Sequence, residues 1–428
     1  MLNFIIKQVK NTYYGGSKMF YFKIKIVLYH FINIPLYFLS IPVIILTRII
    51  SPFYIIRFGK LNSSRIGHFA ANTELYLCEQ KIGINKPTKP YIDIFYYTDY
   101  PACNTYLAKK WKKILFVWPK IIIYPLIFVN RLIPGWKNHL VGPNAQSDRD
   151  INNLLEKVPP HLSFTDQEEL EGKLRLMEMG IPQNSKFVCL LVRDSAYLSS
   201  YKKNVNWDYH NFRDCEINNY YLAAESLTKK GYYVIRMGTK VKNAFNTQQN
   251  KMIIDYATNG MYSPFMDIYL GAKCTFCIST SSGWDAIPYI FRKPIVFAPI
   301  VPIGYFFTFY KNLMAITKHH FDIITGKELS LREVNDRGAS YCKTTKDYTD
   351  RQIYLKENTP EEIRQVVCEF EKRLSGNYIS DDKEEELQNK FWNLFPVKSI
   401  DENGIPLHGH INARFGSDFL KLNTNWLS

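Results

Sequence analysis

Between Phe187 and Phe297 short apolar runs alternate with helix-compatible stretches, and this alternation constrains the fold more than anything else in the chain. Residues 187–192 are continuously apolar, the pattern of a strand buried on both faces. A helix is predicted over 217–230, stopped by Gly231, with a strand at 232–236 behind it. A short apolar run at 252–256, a helical piece at 267–271, a strand at 274–279, a helix at 281–291 and a strand at 294–297 follow. Strands separated by helices imply a parallel, doubly wound sheet. Thr359 as N-cap, Pro360 in the first turn and Glu362 three residues on open another helix, which reaches about Leu374.

The first half is less regular. Residues 91–97 are rich in β-branched and aromatic side chains and read as a strand, and a helix-compatible run begins at Asn72. Residues 143–184 form a polar connector containing a helix from Thr165 to Met179, capped by Thr165 and Glu168 and stopped by Gly180. At 428 residues the chain suits two globular domains. The expected division is a membrane-associated anchor over 1–57 and an N-terminal Rossmann-like domain over 58–184. A C-terminal Rossmann-like domain over 185–380 follows, with a tail over 381–428 that packs back on the N-terminal domain.

The formal net charge is +15, and its placement decides what it means. No acidic residue precedes Glu74, whereas Lys7, Lys10, Lys18, Lys23, Lys25, Arg48, Arg57, Lys60 and Arg65 do. Residues 26–47 of the same segment carry no Asp, Glu, Lys or Arg. Cations flanking an apolar stretch favour an anionic lipid surface, at roughly 1 kcal/mol each near the headgroups. No zinc-finger, RNA-recognition or basic-zipper pattern accompanies them, so the expected partner is a membrane surface and not nucleic acid. Pro35 and Pro42 interrupt the stretch, which suits a re-entrant hairpin or an in-plane helix as well as a crossing. A second stretch, 109–131, joins Lys109, Lys110, Lys112 and Lys113 to Trp111 and an apolar run, and reads as interfacial or as a buried helix. Eight scattered cysteines, Cys189 and Cys277 among them, suit small core residues in a reducing compartment. Cys274 and Cys277 form a C-x-x-C with no second pair to complete a zinc site.

In open parallel sheets ligands bind beyond the carboxyl ends of the strands, and four motifs fall at such positions. Arg193, in Val192-Arg193-Asp194, could clamp a diphosphate with two hydrogen bonds, or serve a surface ion pair. Arg236, in Arg236-Met237-Gly238-Thr239, could reach phosphate or ribose while Gly238 lets backbone approach a ligand, or the motif is a plain turn. Thr280, Ser281, Ser282 and Gly283 present hydroxyls and free amide hydrogens at a helix start, for phosphate or for simple capping. Arg65, Gly67 and His68 sit at a turn in the first half. There Gly67 could admit an acceptor and His68 act as general base, although a lone histidine is often structural. Asp148-Arg149-Asp150 has the D-x-D spacing of a metal site but lies before a helix, and is read as helix-start acids.

The stretch MDIYLGAKCTFCISTSSGWDAIPYIF, 266–291, resembles the donor region of fucosyltransferase-like enzymes. The chain more closely resembles a family of bacterial surface-polysaccharide glycosyltransferases, in R-x-G-H (65–68), V-R-D-x-x-Y (192–197) and E-E-I (361–363). The resemblance covers roughly residues 60–380. It implies two Rossmann-like α/β domains facing across a cleft, the GT-B fold, with the nucleotide held by the second. By that match Arg193 holds the diphosphate, with Tyr197, Ser281 and Ser282 beside it. The histidine two residues before the fucosyltransferase arginine is Leu191 here, which leaves sugar and base open.

The expected activity is metal-independent, inverting transfer of a sugar from a nucleotide-diphosphate sugar to a lipid-linked glycan. It would take place at the cytoplasmic face of the bacterial inner membrane. His68 or Asp194 would take the acceptor proton and Arg193 would stabilise the leaving phosphate; no cofactor is expected, the nucleotide sugar being a co-substrate. A nucleotide-sugar epimerase and a non-catalytic scaffold in polysaccharide assembly remain as alternatives.

Overall fold

The computed structural model describes residues 16–142, 148–197, 207–401 and 404–428. Lys7, Lys10 and the first residues of the connector, 143–147, lie outside them. The chain is α/β, with two parallel sheets in two compact units. One unit takes the described residues up to Asn62, Asn85–Tyr100 and residues 111–142. The other takes Ser63–Ile84, Pro101–Lys110 and the described residues from Asp148 onward.

The first unit holds a three-stranded sheet in the order β1 (Ile55–Leu61), β2 (Tyr91–Tyr97), β3 (Phe116–Val117). β1 and β2 pair in parallel from Ile55↔Tyr91 to Leu61↔Tyr97. Arg57 donates through Nε and Nη2 to both oxygens of Asp93 on the neighbouring strand, each at 2.6 Å, and also to Asn85 O at 2.7 Å. Two donors meeting two acceptors in one plane let a buried ion pair satisfy most of its own hydrogen-bonding demand.

Helices α1 (Gly16–Ile32) and α2 (Ile34–Ile50) belong to the same unit, α2 packing on the helix Lys120–Asn130. The buried side of α2 is Ser40, Ile44 and Thr47, and its open side carries Phe38, Leu39, Leu46 and Ile49, each more than half exposed. Ser40 and Thr47 turn their hydroxyls onto the helix's own carbonyls, Leu36 O and Ile44 O, and Arg48 Nη2 donates to Asn130 Oδ1. This helix keeps polar atoms inside and apolar ones outside, the reverse of a water-facing amphipathic helix. Among the described residues no single helix is long and apolar enough to cross a membrane. Lys23–Ile32 and Ile34–Ile50 together have the length and composition, bent by 59°.

The second unit is built on a seven-stranded, all-parallel sheet. Its strands in chain order are β4 (Phe187–Leu191), β5 (Tyr233–Arg236), β6 (Ile253–Asp255), β7 (Cys277–Ser279), β8 (Ile295–Phe297), β9 (Leu313–Ala315) and β12 (Arg414–Phe415). Across the sheet they run β6-β5-β4-β7-β8-β9-β12. β10 (His319–Asp322) and β11 (Ile353–Lys356) form a separate antiparallel pair. The strands read from the sequence lie within a few residues of those observed, whereas β1 begins inside the stretch expected as anchor, β3 lies inside the stretch read as interfacial, and β9 to β12 are additional. Cys274 differs as well: it ends the helix Pro264–Lys273 and is not part of β7. Both Cys274 and Cys277 are buried. The tail adds β12 to the edge of this sheet, and its stretch 407–412 touches the connector, where Arg149 donates to Leu407 O and Asn412 to Glu156.

One ion-pair cluster makes stability depend on pH. His319 on β10 meets Glu328 through Nδ1 at 2.5 Å and Glu362 through Nε2 at 2.9 Å. Burial works against its charge, but the two carboxylates outweigh burial and raise its pKa to about 9. A folded pKa above the unfolded 6.5 gives stabilisation that is complete below pH 6.5 and fades as pH rises towards 9. Melting temperature should therefore fall by several degrees across that window, and the fall should be shallower in His319→Gln. Parallel curves for the two proteins would remove His319 from the explanation.

Candidate functional site

β4 and β7 are neighbours although β5 and β6 lie between them in sequence. From β4 the chain proceeds outward to β5 and β6; from β7 it proceeds the other way, to β8 and β9. With right-handed crossovers, successive connections then leave β4 and β7 on opposite faces, and a crevice opens beyond their carboxyl ends. Leu191 and Ser279, the last residues of the two strands, are in register. The loops that follow are laced together. Arg193 N donates to Thr280 Oγ1 at 2.9 Å, and Thr280 N donates to Leu191 O at 3.2 Å. Arg193 and the 280–283 turn are thus brought side by side at the ends of the two strands.

Ser281 turns the chain out of β7 with φ +56, left-handed backbone that costs a non-glycine residue about 1 kcal/mol. This aims its carbonyl at Arg213, whose Nη2 donates to it. Ser282 is the N-cap of the short 3-10 turn Gly283–Asp285 and makes no side-chain capping bond. Beneath the turn Ser279 Oγ donates to Asp285 Oδ2 at 2.9 Å. Burial raises the Asp285 carboxyl to about 7, so it is largely protonated below neutral pH.

The start of helix α3 (Ile66–Ile82) adjoins this turn. A methyl on Gly67 would stand 3.0 Å from Gly283 O and 3.1 Å from its Cα, so two glycines let two backbones meet where side chains would hold them apart. Arg65, the N-cap, makes no capping bond and its side chain is exposed. His68 Nδ1 is buried with no hydrogen-bond partner among the described residues. The helix begins at Ile66, six residues before the sequence-predicted start, and Arg65, Gly67 and His68 lie on the second unit.

Three predicted site residues are otherwise engaged. Arg236 is 1% exposed and donates to both oxygens of Asp255 at 3.1 and 3.3 Å, because the two end neighbouring strands in register. Its guanidinium is buried against Asp255 and is not presented beyond the strand end. Gly238 has φ +150, and a methyl there would meet Val241 and Ala257; the glycine serves the chain's own turn. Asp194 accepts Ala196 N through Oδ1 and Lys242 N through Oδ2, each at 2.8 Å, so both its oxygens already hold backbone amides. Tyr197 is 39% exposed, at the end of a described stretch.

The remaining motifs have structural explanations. Asp150 accepts Leu154 N and Leu155 N at 2.7 and 2.9 Å, the work of a helix-start acid, and Arg149 donates to Tyr305 O, Phe306 O and Leu407 O. Glu74, Cys78 and His161 bring three potential metal ligands within 4.8 Å. Arg292 Nη2 already sits 2.8 Å from Glu74 Oε1 and supplies the cation that this buried carboxylate requires.

The residues 207–214, Trp-Asp-Tyr-His-Asn-Phe-Arg-Asp, contribute groups that sequence reasoning passed over. Arg193 Nε donates to Asp214 Oδ1 at 3.1 Å, and Lys318 Nζ to Asp214 O at 2.6 Å. Burial lowers the His210 pKa to about 4, and the charges of Arg193, Arg213 and Arg65 push the same way. His210 is therefore a neutral imidazole among three guanidinium groups. Burial and then Arg193 also lower Arg213, to about 10, which leaves it charged at neutral pH. An Arg and a His among aromatics, in the loop after the first strand of a doubly wound sheet, was the available signal.

No protein-family model matches the chain, and comparison with curated proteins gives no significant match. Among solved structures it is similar to the ADP-heptose LPS heptosyltransferase II of E. coli. The TM-score is 0.40 at 14% identity, over 63% of this chain and 92% of that one. It is also similar to a family 9 glycosyl transferase from Veillonella parvula, with TM-score 0.34 and 11% identity over 56% of this chain and 79% of that one. A Listeria monocytogenes protein described as a UDP-N-acetylglucosamine 2-epimerase gives TM-score 0.25 and 6% identity over 59% and 83%.

Proposed function

We propose that the chain is a GT-B-type glycosyltransferase that moves a sugar from a nucleoside-diphosphate sugar to a lipid-linked bacterial surface glycan, without a divalent metal and with inversion. The observation that carries this reading is the meeting of Arg193 and the 280–283 turn at the crevice between β4 and β7, inside a cluster of guanidinium groups. A diphosphate is the anion such a place suits: it is multiply charged, and Arg forks match its oxygens.

In the proposed step an acceptor hydroxyl attacks the anomeric carbon as the bond from that carbon to the diphosphate oxygen breaks. The electron pair leaves with the diphosphate, where Arg193 and the amide hydrogens of the turn stabilise it. His68 takes the hydroxyl proton. It is the better base than Asp194, whose oxygens are held by two amides, whereas His68 Nδ1 has no partner among the described residues. The inverted face of α2 supports attachment to an anionic membrane, with Lys23 and Lys25 on the preceding helix to meet headgroups. The corresponding site of action is the cytoplasmic face of the inner membrane, where nucleotide sugars and lipid-linked acceptors meet.

Purified protein in anionic vesicles, given bacterial lipid extract and a panel of nucleotide sugars in EDTA, should release nucleoside diphosphate with at least one donor and only when acceptor is present. Isomerised nucleotide sugar without acceptor would identify an epimerase. No release and no thermal stabilisation by any nucleotide would leave the scaffold reading standing.

A further inference from the structure

We infer that Asn72 is a positioning residue for His68, its amide oxygen holding the Nδ1 hydrogen so that Nε2 is the nitrogen that takes the acceptor proton; this rests on the proposed transfer with His68 as its base.

Asn72 lies in the interior of α3, where an Asn side chain costs helix stability unless a hydrogen bond recovers it. Its neighbour Thr73 makes the local recovery, Oγ1 donating to Phe69 O at 2.8 Å. Asn72 does not. It is 4% exposed, and its amide nitrogen and amide oxygen are both buried without a partner among the described residues. A buried amide that makes none of its hydrogen bonds carries an uncompensated desolvation cost, and a partner gained during function removes it.

The helix itself supplies that partner. His68 stands four residues earlier, so the two side chains lie one above the other on a single face. Helical side chains lean towards the N-terminus, which carries the Asn72 amide towards the imidazole. The His68 ring is half-buried, and its Nδ1 is buried and equally without a partner among the described residues. With Nδ1 on the inner side, Nε2 is the nitrogen left to meet an acceptor. A different face of α3 makes the contacts with the rest of the second unit: Gly67 abuts Gly283, and Glu74 and Cys78 both meet Arg292.

His68 and Asn72 are therefore two orphaned groups with complementary needs. A neutral imidazole with its hydrogen on Nδ1 requires an acceptor there and keeps the Nε2 lone pair for a proton. The bond is open in the free protein, and hydrogen bonds around a general base often tighten only when substrate is bound. An amide oxygen in this place orients the base without holding it charged, whereas a carboxylate would favour the imidazolium.

The test is the pH dependence of kcat and KM for sugar transfer by the full chain, in the wild type, Asn72→Ala, Asn72→Asp, His68→Ala and the double variant His68→Ala/Asn72→Ala. Asn72→Ala should lower kcat about 10-fold to 100-fold and leave the donor KM unchanged, as expected for a misdirected base. Asn72→Asp should move the acid limb of the kcat profile up by about one pH unit. In the His68→Ala background the Asn72→Ala change should cost nothing further, because it acts through the ring. Melting temperature reports whether each variant is folded. Should the Asn72 variants unfold, the ¹⁵N shifts of the His68 ring in the wild-type protein with acceptor and nucleoside diphosphate decide the matter, the hydrogen being expected on Nδ1. A hydrogen on Nε2, additive losses in the double variant, or a folded Asn72→Ala with unchanged kcat overturns the positioning role and leaves the transferase reading intact. Undiminished turnover by His68→Ala overturns the base and this role together. A wild type that transfers no sugar overturns both and the transferase reading with them.

Discussion

Arg193→Ala should lose at least about 100-fold in kcat/KM for sugar transfer while melting within a few degrees of the wild type. The two halves of that expectation have separate causes. The side chain's internal partner is Asp214, at 3.1 Å across a pair that is 12% and 23% exposed. After its removal Asp214 keeps the attraction of Lys318, so no isolated charge is buried. The lacing of the two strand ends uses the backbone amide of residue 193, which alanine retains. What disappears is the guanidinium proposed to hold the diphosphate, and oxyanion-stabilising donors are worth two to three orders of magnitude in rate, or about 3–4 kcal/mol. Arg193→Lys should fall between. An unfolded variant would make Arg193 a structural strut. A folded variant with undiminished turnover would mean that the leaving group is held elsewhere.

Gly409→Ala should be the most damaging small substitution for stability, costing on the order of 3 kcal/mol and roughly 6–10 °C of melting temperature. Its methyl would stand 2.1 Å from Ile151 O and 2.8 Å from the carbonyl carbon, which is backbone and cannot rotate aside. The segment carrying Ile151 is pinned on both sides. Arg149 holds the carbonyls of Tyr305, Phe306 and Leu407, and Asn153 Nδ2 donates to Phe309 O at 2.7 Å. Relief therefore requires the tail to lift, which would expose Leu407 and strain β12 against β9. Differential scanning calorimetry checks this, and an unchanged transition would show that the tail does not dock on the connector in solution.

Local patterns in the sequence foretold whatever local physics decides. The helix Pro360–Leu374 is read from its Thr359–Glu362 capping box, and β2 from its β-branched and aromatic run. Asp150 of the D-x-D spacing holds the amides of a helix start, and capping needs only neighbours in sequence. Long-range pairing decided the rest. Arg193 and Arg236 look alike in the sequence, each ending an apolar strand. Only the register of β5 with β6 puts Asp255 beside Arg236 and takes it out of reach. Helix α3 was expected to begin at Asn72 because Gly67 reads as a turn, yet the glycine belongs to the helix and is explained by Gly283, more than two hundred residues away. β9 and β12 are too short to show an alternation at all, and Arg213 sits in a loop whose partners come from another strand.

The assignment of helix α3 and of Pro101–Lys110 to the second unit, although Asn85–Tyr100 and residues 111–142 between and after them belong to the first, has a practical consequence. No single proteolytic cut or cloning boundary separates the two bodies. A fragment starting at the connector would lack the helix whose Gly67 abuts Gly283, and would bare the surface of Ala286–Ile290 on which that helix packs. Anyone seeking a truncated form for crystallisation should keep everything from α2 onward, because the second unit is stitched from three separate stretches of the chain and α2 buries Ile44 in the core of the first.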